Sequence, residues 1–241
     1  MKTTLIIPTY NEAENLPRII TALFDLPLKD LSVLVVDDNS SDGTGQIADE
    51  LAKKHPGRVD VLHRAGKLGL GTAYIQGFQR LLAGSAQAIG QMDADFSHDP
   101  KKVLELVQAL NSCDIAVGSR YVPGGSLDED WPFWRKGLSS FGNFYARTIL
   151  NLPIRDVTGG FRLWKRDALA ALPLDRVRSN GYVFQVEMAY VAHKLGFSFK
   201  EVPIHFAERR YGQSKMSFRI QMEAALRVWA LPGHYRDLDR A

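Results

Sequence analysis

The first half of the chain alternates short apolar runs with amphipathic stretches. The runs predict buried strands at residues 4–7, 31–36, 59–63, 88–92 and 115–118. The stretches between them repeat apolar residues at helical spacing and predict helices at 14–26, 44–55, 72–82 and 100–110, with Pro17 in the first turn of the first one. Strands that are apolar on both faces and alternate with helices are typical of a mostly parallel sheet covered on both sides. The pattern therefore predicts an α/β fold.

The pattern changes after Arg120. A loop containing glycine and proline, at 122–125, leads into a stretch rich in aromatic residues. Beyond it the pattern predicts a strand starting near Gly160, a helix over 182–195, a strand over 197–202 and an amphipathic helix over 218–231. Because no repeat, low-complexity stretch or long linker divides the chain, we expect a single domain over residues 1–241, built from halves 1–118 and 119–241.

Composition narrows the class of protein. Of 241 residues, 45% are hydrophobic and 24% charged, as in ordinary globular proteins, and the net charge is +3. The basic residues are scattered, so we expect no nucleic-acid binding. Cys113 is the single cysteine, and its apolar neighbours predict a buried structural thiol. The chain has neither a run of about 18 apolar residues nor a recognisable secretory leader, so we expect no transmembrane segment and a cytoplasmic location.

Polar residues follow the first two predicted strands. Pro8-Thr-Tyr10-Asn-Glu12 comes after the first strand, and Val36-Asp-Asp38 ends the second. In an open parallel sheet, ligands bind beyond the carboxyl ends of the strands, where carboxylates can accept hydrogen bonds from a nucleobase or a ribose. The alternative is that Asp38, Ser40 and Asp42 only cap the next helix.

Two further motifs carry charge. Asp93-Ala-Asp95 ends the fourth strand, and carboxylates at this spacing suit a hard divalent cation that bridges diphosphate oxygens. His98 could be another ligand, but a solvated loop histidine is the preferred interpretation. The basic loop Arg209–Lys215 could bind phosphate or could be a solvated turn. Gly66-Lys-Leu-Gly-Leu-Gly71 fits neither the Rossmann nor the Walker pattern, which disfavours dehydrogenases and P-loop enzymes.

Together these motifs resemble a known family. Pro8–Glu12, Val36–Thr44 and Asp93–Asp95 are similar to the inverting family 2 glycosyltransferases of the GT-A fold. Further blocks resemble the dolichol-phosphate (polyprenyl-phosphate) mannose synthases: Gly69-Leu-Gly-Thr-Ala-Tyr74, Asp93-Ala-Asp-Phe-Ser-His98, Asp156-Val-Thr-Gly-Gly-Phe-Arg162, Gly181-Tyr-Val-Phe-Gln185 and Arg209-Arg-Tyr-Gly-Gln-Ser-Lys215. These blocks run in the family's order through nearly the whole chain.

The resemblance implies a role for each matched residue. Residues 1–118 would bind the nucleotide sugar, and residues 119–241 would bind the acceptor and the membrane interface. Pro8, Tyr10, Glu12, Val36 and Asp38 would hold guanosine, while Asp93, Ala94 and Asp95 would lie at the ribose and diphosphate. Asp95 would bind Mg²⁺ or Mn²⁺, with the role of Ser97 open because some relatives have a metal-binding glutamine there. Arg209 and Lys215 would contact the diphosphate, and Arg120 and Arg135 the acceptor phosphate.

The implied reaction is mannosyl transfer from GDP-mannose to dolichyl or polyprenyl phosphate. A lipid phosphate is already ionised at neutral pH, so it needs no general base, and in-line attack would give a β-linked product by inversion. The cations Arg120, Arg135 and Arg209 would reduce the repulsion between the two anions. Two alternatives stay open, namely a glycosyltransferase that uses UDP-glucose or another nucleotide sugar, and a non-catalytic subunit that binds nucleotide sugars.

Two aromatic stretches raise the question of membrane contact. The first holds five large aromatic residues around Arg135 and Lys136, namely Trp131, Phe133, Trp134, Phe141 and Phe144. The second is the predicted final helix, with Phe218, Ile220, Met222, Ala225, Leu226 and Trp229. Such stripes can be core or an interfacial anchor. We expect peripheral contact with the cytoplasmic face of a membrane, either directly or through separate membrane subunits.

Overall fold

A computed structural model describes residues 1–207 and 218–238. Its strands are β1 Thr3–Thr9, β2 Leu31–Asp37, β3 Val59–His63, β4 Ala88–Gln91, β5 Ile115–Ser119, β6 Ser126–Leu127, β7 Arg162–Lys165, β8 Phe199–Pro203 and β9 His205–Phe206. Its α-helices are α1 Asn15–Phe24, α2 Thr44–Lys54, α3 Leu70–Leu82, α4 Lys102–Ala109, α5 Phe133–Leu150, α6 Arg166–Ala170, α7 Gly181–Lys194 and α8 Phe218–His234. A short 3-10 helix covers Leu174–Arg176.

Seven strands form one sheet in the order β3-β2-β1-β4-β7-β5-β8. All neighbouring pairs are parallel except those of β7, which runs antiparallel to both β4 and β5. The mostly parallel sheet predicted from the sequence is confirmed. The reversed direction of β7 was not predicted, because the sequence of a four-residue strand carries no information about its direction.

The two faces of the sheet belong to two apolar clusters. Ile6 and Leu34 point to the side that α3 and α7 cover, whereas Leu5, Ile7 and Val35 point to the side of α1 and α4. Successive side chains alternate in this way because a strand repeats every two residues, so a strand buried on both faces must be apolar throughout. Cys113 is buried in the second cluster, as predicted.

Helix α7 lies inside the molecule rather than on its surface. Every residue from Val183 to Ala192 is buried, including Gln185 and Glu187. A helix surrounded by protein has no solvent face, which is why its sequence shows little amphipathic pattern. In the described part of the chain, no helix combines the length and the apolar character needed to cross a membrane.

A second, two-stranded sheet pairs β6 with β9 in parallel. Strand β6 follows the glycine-containing loop after β5, and β9 directly follows β8. Both strands have only two residues, too few to show a period in the sequence. The small sheet joins the loop that leads into α5 to the carboxyl end of the main sheet.

Candidate functional site

The polar motifs of the sequence meet along one edge of the sheet. Thr9, Asp37 and Gln91 are the last residues of the parallel strands β1, β2 and β4, and Ser119 ends β5. Parallel strands end at the same edge, so the loops that follow them are neighbours. This edge is the place where ligands bind in open parallel sheets.

Three of these loops contain a residue whose backbone lies in the left-handed region. Asn11, Asn39 and Phe96 have φ values of 61°, 57° and 60°, and they follow β1, β2 and β4 respectively. Asparagine tolerates the left-handed region, but a phenylalanine there is rare and costs about 1–3 kcal/mol. Such strain is typical of sites where the loop shape is needed for binding, and Phe96 follows Asp95 directly.

The first two loops are joined by hydrogen bonds. Asn11 N donates to Ser40 Oγ at 2.9 Å, and Ser41 N donates to Asn11 Oδ1 at 3.0 Å. Glu12 N donates to Thr44 Oγ1 at 2.9 Å. The bonds hold the segment after β1 against the segment after β2, so that Pro8, Tyr10 and Glu12 share one wall of the edge with Val36 and Asp38.

Tyr10 offers an open aromatic face. Its side chain is 41% exposed, and the Lys67 ammonium lies 3.8 Å from the ring centroid. An exposed ring at the mouth of a cleft can stack on a nucleobase, and the nearby cation adds attraction for phosphate.

Asp37 and Asp38, at the end of β2, make different contacts. Asp37 accepts hydrogen bonds from Thr9 Oγ1 at 3.0 Å and Ser40 Oγ at 2.6 Å, which makes it a structural residue of the loop. Asp38 forms an ion pair with Arg64 at 2.6 Å. The N-cap of α2 is Gly43, with no side-chain cap hydrogen bond, and Asp42, one residue earlier, accepts from Thr44 N through its Oδ1 at 3.0 Å. The capping alternative is thus wrong for Asp38, while Asp42 holds the start of α2 without being its N-cap.

Arg64 was missed in the sequence. Its side chain is 2% exposed, and besides Asp38 it donates to Thr72 Oγ1 at 2.5 Å. Burial raises the pKa of Asp38 and outweighs the opposing effect of the guanidinium. The available signal was position, because Arg64 follows the third strand as Asp38 follows the second. Arg64 and Asp38 thus form a buried ion pair between the ends of β2 and β3.

The Asp93–Asp95 turn lies at the end of β4. Ala94, Asp95 and Ser97 are buried, and Asp95 Oδ1 accepts from Ser97 N at 3.0 Å. The buried hydroxyl of Ser97 has no hydrogen-bond partner within the described part of the chain. Beneath the turn, burial raises the pKa of Tyr74 far above its ordinary value, and the Asp93 and Asp95 carboxylates raise it further. Tyr74 belongs to a block that the sequence singled out, but it had no assigned role.

The turn can hold a divalent cation only together with a ligand. Among residues 1–207 and 218–238, no group of three or more His, Cys, Asp or Glu side chains could hold a metal. Asp95 and the unpaired Ser97 hydroxyl are hard oxygen donors next to each other. A cation such as Mg²⁺ keeps several waters and uses one or two carboxylates plus phosphate oxygens, so these residues fit it.

His98 is not the solvated loop residue that the sequence suggested. It is 2% exposed, stacks on Phe161 at 4.9 Å between ring centroids and meets Phe206 edge-on at 5.3 Å. Burial lowers its pKa, against the effect of Asp93 and Asp95. The solvated interpretation was wrong because Phe206 comes from β9, more than 100 residues away along the chain.

Arg120 follows β5 and is clamped by Asp156. Its Nε and Nη2 donate to the two carboxylate oxygens, each at 2.7 Å, and Nη2 also donates to Thr158 Oγ1 at 2.9 Å. Burial alone would raise the pKa of Asp156, but Arg120 holds it below its ordinary value. The guanidinium is therefore fixed at the sheet edge, with its side chain 9% exposed.

Arg135 lies in the first turns of α5. Its guanidinium is 3.7 Å from the ring centroid of Trp131, and that ring meets Phe206 edge-on at 5.7 Å. Trp131 is only 8% exposed, so its prediction as part of an exposed anchor was wrong. Through Phe206, which also meets His98 edge-on, Arg135 is joined to the strand-end site. Arg209 and Lys215 lie outside the described residues.

The other aromatic residues of α5 face outward. Phe133, Trp134, Phe141 and Phe144 are 90%, 70%, 61% and 64% exposed. Helix α8 packs against α5, and Leu226 and Trp229 are 67% and 64% exposed. Trp229 Nε1 donates to Tyr145 Oη at 2.7 Å, so two adjacent helices both expose apolar side chains, and we call these exposed residues the apolar surface of α5 and α8.

Comparison with known proteins gives one family match and several similar proteins. Residues 4–172 match the family described as Glycosyl transferase family 2. The polyprenol monophosphomannose synthase of Mycolicibacterium smegmatis is 45% identical over 243 residues, which cover 100% of this chain and 90% of that protein. The undecaprenyl-phosphate mannosyltransferase of Micrococcus luteus is 45% identical over 240 residues, which cover 99% and 98%.

Solved structures add the fold. Glucosyl-3-phosphoglycerate synthase from Mycobacterium tuberculosis, in complex with Mn²⁺, UDP-glucose and phosphoglyceric acid, aligns with a TM-score of 0.65 over 97% of this chain and 79% of that chain. The sequence identity is 16%. The same protein in complex with Mg²⁺ and UDP aligns with a TM-score of 0.65. At this identity the likeness concerns the fold alone.

Proposed function

Because the chain belongs to glycosyl transferase family 2 and has the GT-A fold, it is a glycosyltransferase, and we propose that it transfers mannose from GDP-mannose to a polyprenyl phosphate. The observation that carries the proposal is the single edge that gathers a buried carboxylate for a base, an Asp-x-Asp turn and a fixed arginine. The two relatives at 45% identity are named for mannosyl transfer to a polyprenol carrier, which supports the same acceptor here.

We assign the guanosine of the donor to the loops that follow β1 and β2. Asp38 can accept from the N–H groups of guanine, and Arg64 keeps its carboxylate in place. Tyr10 offers the face for stacking, and Pro8, Glu12 and Val36 shape the same wall. Guanine presents two adjacent N–H donors, which suits a carboxylate better than a neutral acceptor would.

The diphosphate and a divalent cation are assigned to the turn after β4. Asp95 with Ser97 would hold Mg²⁺ or Mn²⁺, and Asp93 and Ala94 would lie beside the ribose and diphosphate. When bound, the cation neutralises charge that develops on the departing diphosphate. Arg209 and Lys215 have the same proposed task from the sequence. The solved relatives of this fold crystallised with Mn²⁺ or Mg²⁺ support a divalent cation without selecting one.

The acceptor phosphate is assigned to Arg120 and Arg135. Asp156 and Thr158 fix the Arg120 guanidinium at the edge, so little conformational entropy is lost when an anion binds. The phosphate is already ionised, and its oxygen attacks C1 of mannose on the face opposite the departing diphosphate. The C1–O bond to GDP breaks as the new bond forms, which gives β-mannosyl phosphate lipid and GDP.

Membrane contact is assigned to the apolar surface of α5 and α8. Helix α5 carries Arg135, Lys136 and Arg147 and no acidic residue. Exposed Trp and Phe with basic neighbours suit the headgroup region of an anionic bilayer, the cytoplasmic face of a membrane. An acceptor with a polyprenyl chain lies in such a bilayer, so the surface and the proposed acceptor are consistent.

Transfer of radiolabelled mannose from GDP-mannose to a short polyprenyl phosphate tests the proposal. We expect label in the lipid phase with Mg²⁺ or Mn²⁺, none with EDTA, and a β anomer by NMR. Asp95→Asn should lower the rate by roughly 100-fold or more, because charge stabilisation of the leaving group is lost. Asp99→Asn, an exposed carboxylate four residues away, is the matched control and should retain the rate.

Different failures have different meanings. Transfer from UDP-glucose but not from GDP-mannose would leave the family assignment and correct the donor. An α-linked product would contradict inversion. Absence of transfer with every nucleotide sugar and acceptor, despite nucleotide binding, would favour a non-catalytic binding subunit.

A further inference from the structure

Gln185 is a buried amide with no hydrogen-bond partner among the residues that the structure describes. The residue is 2% exposed, and neither its Oε1 nor its Nε2 makes a hydrogen bond. Across residues 1–207 and 218–238, it is the one buried side chain with two unpaired polar atoms. Buried amides in proteins almost always have partners, because water no longer compensates their polarity. A bound ligand can supply the partner that the described residues do not.

The register of the sheet places this amide beside the metal-binding turn. Strand β7 pairs with β4 so that Gln91 lies across from Arg162. Asp93 follows Gln91 by two residues and Gly160 precedes Arg162 by two, so both segments leave the same end of the paired strands. A Cβ built on Gly160 would lie 3.5 Å from Gln185 Nε2, so the amide approaches the backbone at this point.

Strand β5, the other neighbour of β7, places the Gln185 amide near Arg120, which we assign to the acceptor phosphate. Gly118 N donates to Phe161 O at 2.8 Å, which continues the pairing of β5 with β7. Gly160 precedes Phe161 and Ser119 follows Gly118, so both residues come directly after this hydrogen bond at the sheet edge, and Arg120 follows Ser119. Gln185 therefore lies near the middle of the edge, between the turn assigned to the departing diphosphate and the arginine assigned to the attacking phosphate.

The position of Gln185 is fixed from both sides. Arg162 is fully buried, and its Nη1 donates to the Gln185 carbonyl at 2.7 Å. The preceding residue, Phe184, stacks on Tyr74 at 5.9 Å between ring centroids and 7° between planes. Tyr74 is the residue beneath Asp93 and Asp95. Because the main chain is fixed, the Gln185 amide can reach only a few positions. Such a restriction favours recognition of a small polar ligand.

We propose that Gln185 binds a hydroxyl group of the donor's sugar. The inference rests on the proposed function, in which the sugar must lie between the leaving and the attacking phosphates. A sugar hydroxyl both donates and accepts, and a carboxamide offers one acceptor and two donors, so the two groups match. Gln185 is then a substrate-binding residue that contributes to sugar recognition and makes no contact with the nucleotide.

Binding of GDP-mannose and of GDP tests this assignment, because GDP lacks the sugar. Gln185→Met keeps the length of the side chain and removes both polar atoms. By isothermal titration, we expect its affinity for GDP-mannose to fall roughly tenfold or more relative to its affinity for GDP, whose Kd should stay as in the wild type. Gln79→Met, at an exposed position of α3, is the matched control and should leave both affinities unchanged.

A structural role would give a different result. If the affinities for GDP and GDP-mannose change by the same factor, or neither changes, the amide binds no sugar and the proposal is overturned. If Gln185→Met does not fold, Gln185→Asn withdraws the amide by one methylene and should show the same loss confined to GDP-mannose. If wild-type transfer requires UDP-glucose, the donor proposal fails separately, and titrations with UDP-glucose and UDP test Gln185.

Discussion

Asp38 and Asp156 are both buried carboxylates that pair with an arginine, yet their pKa values move in opposite directions. For both, burial raises the pKa, and for Asp38 it dominates. Asp156 receives the Nε, Nη2 and main-chain N–H of Arg120, and also the N–H of Gly159 at 3.0 Å. These donors stabilise the ionised form enough to lower its pKa below the ordinary value. The sign follows from the balance between burial and the stabilising interactions: for Asp38 the hydrogen bonds from Arg64, Leu68 and Gly69 do not offset burial, whereas for Asp156 the charge of Arg162 adds to the effect of Arg120.

The lowered pKa of Asp156 predicts a pH-dependent contribution to stability. The folded-state pKa lies below the unfolded value, so the contribution is present above about pH 4 and is lost as the pH falls through the folded pKa. Asp156→Asn should lower the free energy of unfolding by about 3–5 kcal/mol at neutral pH, because Arg120 is left buried and unpaired. Urea denaturation at several pH values measures this, and the difference from the wild type should shrink in acid.

A surface pair provides the control for this prediction. Asp60 accepts from Arg80 at 2.6 Å, with both side chains about half exposed. Asp60→Asn should change the free energy of unfolding by no more than about 1 kcal/mol. An equal effect of the two variants would show that the Asp156 pair contributes no more than an exposed one.

At the scale of elements, α5 reverses the usual amphipathic arrangement. At 3.6 residues per turn, Phe133, Trp134, Phe141 and Phe144 fall on about one third of the circumference, and that third faces outward. The inward side includes Asn143, whose Oδ1 accepts from Val157 N at 2.9 Å. A helix normally buries its apolar stripe, so an exposed one indicates an interaction surface.

Flotation with anionic vesicles tests this surface. The wild type should float with phosphatidylglycerol vesicles, and Trp134→Glu with Phe144→Glu should reduce the bound fraction roughly tenfold or more, because two aromatic anchors are replaced by anions. Gln79→Glu adds a negative charge at an exposed position of α3, away from this surface, and should float like the wild type. A wild type that stays with the unbound fraction would assign the surface to a protein partner instead.

At the scale of the whole molecule, the segment after α8 is tied to the buried helix α7. Tyr235 is fully buried, and its hydroxyl donates to Glu187 Oε1 at 2.8 Å, while Ser179 N donates to Glu187 Oε2 at 2.9 Å. Burial, with Glu187 beside it, raises the pKa of Tyr235. Asp237 receives two hydrogen bonds from Arg176 at 2.7 and 2.8 Å. These contacts attach the segment after α8, and with it the exposed residues Leu226 and Trp229, to α7 and to the 3-10 helix.

Removal of one hydroxyl tests this attachment. Tyr235→Phe should lower the free energy of unfolding by about 1–3 kcal/mol, because the buried Glu187 loses one of its two donors. Tyr10→Phe removes a hydroxyl from a ring that is 41% exposed and should change stability by less than about 0.5 kcal/mol. Chemical denaturation followed by tryptophan fluorescence compares the two variants, and equal stability would contradict a stabilising role for the Tyr235 bond.

Local pattern predicted most of the elements, and distant pairing explains most of the differences. Strand β3 has the predicted bounds, and α2 ends one residue before the prediction. The direction of β7, the burial of His98 and the partner of Asp38 depend on residues far away along the chain. Arg64 lies 26 residues from Asp38, and no period in the sequence links them. The position of Asp95 at a strand end follows from the local pattern, whereas Arg120 was named only through the family resemblance.

The antiparallel strand β7 also dictates the order in which the molecule can be assembled. Strands β4 and β5 follow each other in the chain but are not neighbours, because β7 lies between them. During synthesis, residues 1–118 leave the ribosome with the edge of β4 unpaired, and it stays so until about 45 further residues have emerged. An unpaired central edge promotes association between chains. A fragment that ends at residue 118 is therefore expected to aggregate, although it contains every residue assigned to the base.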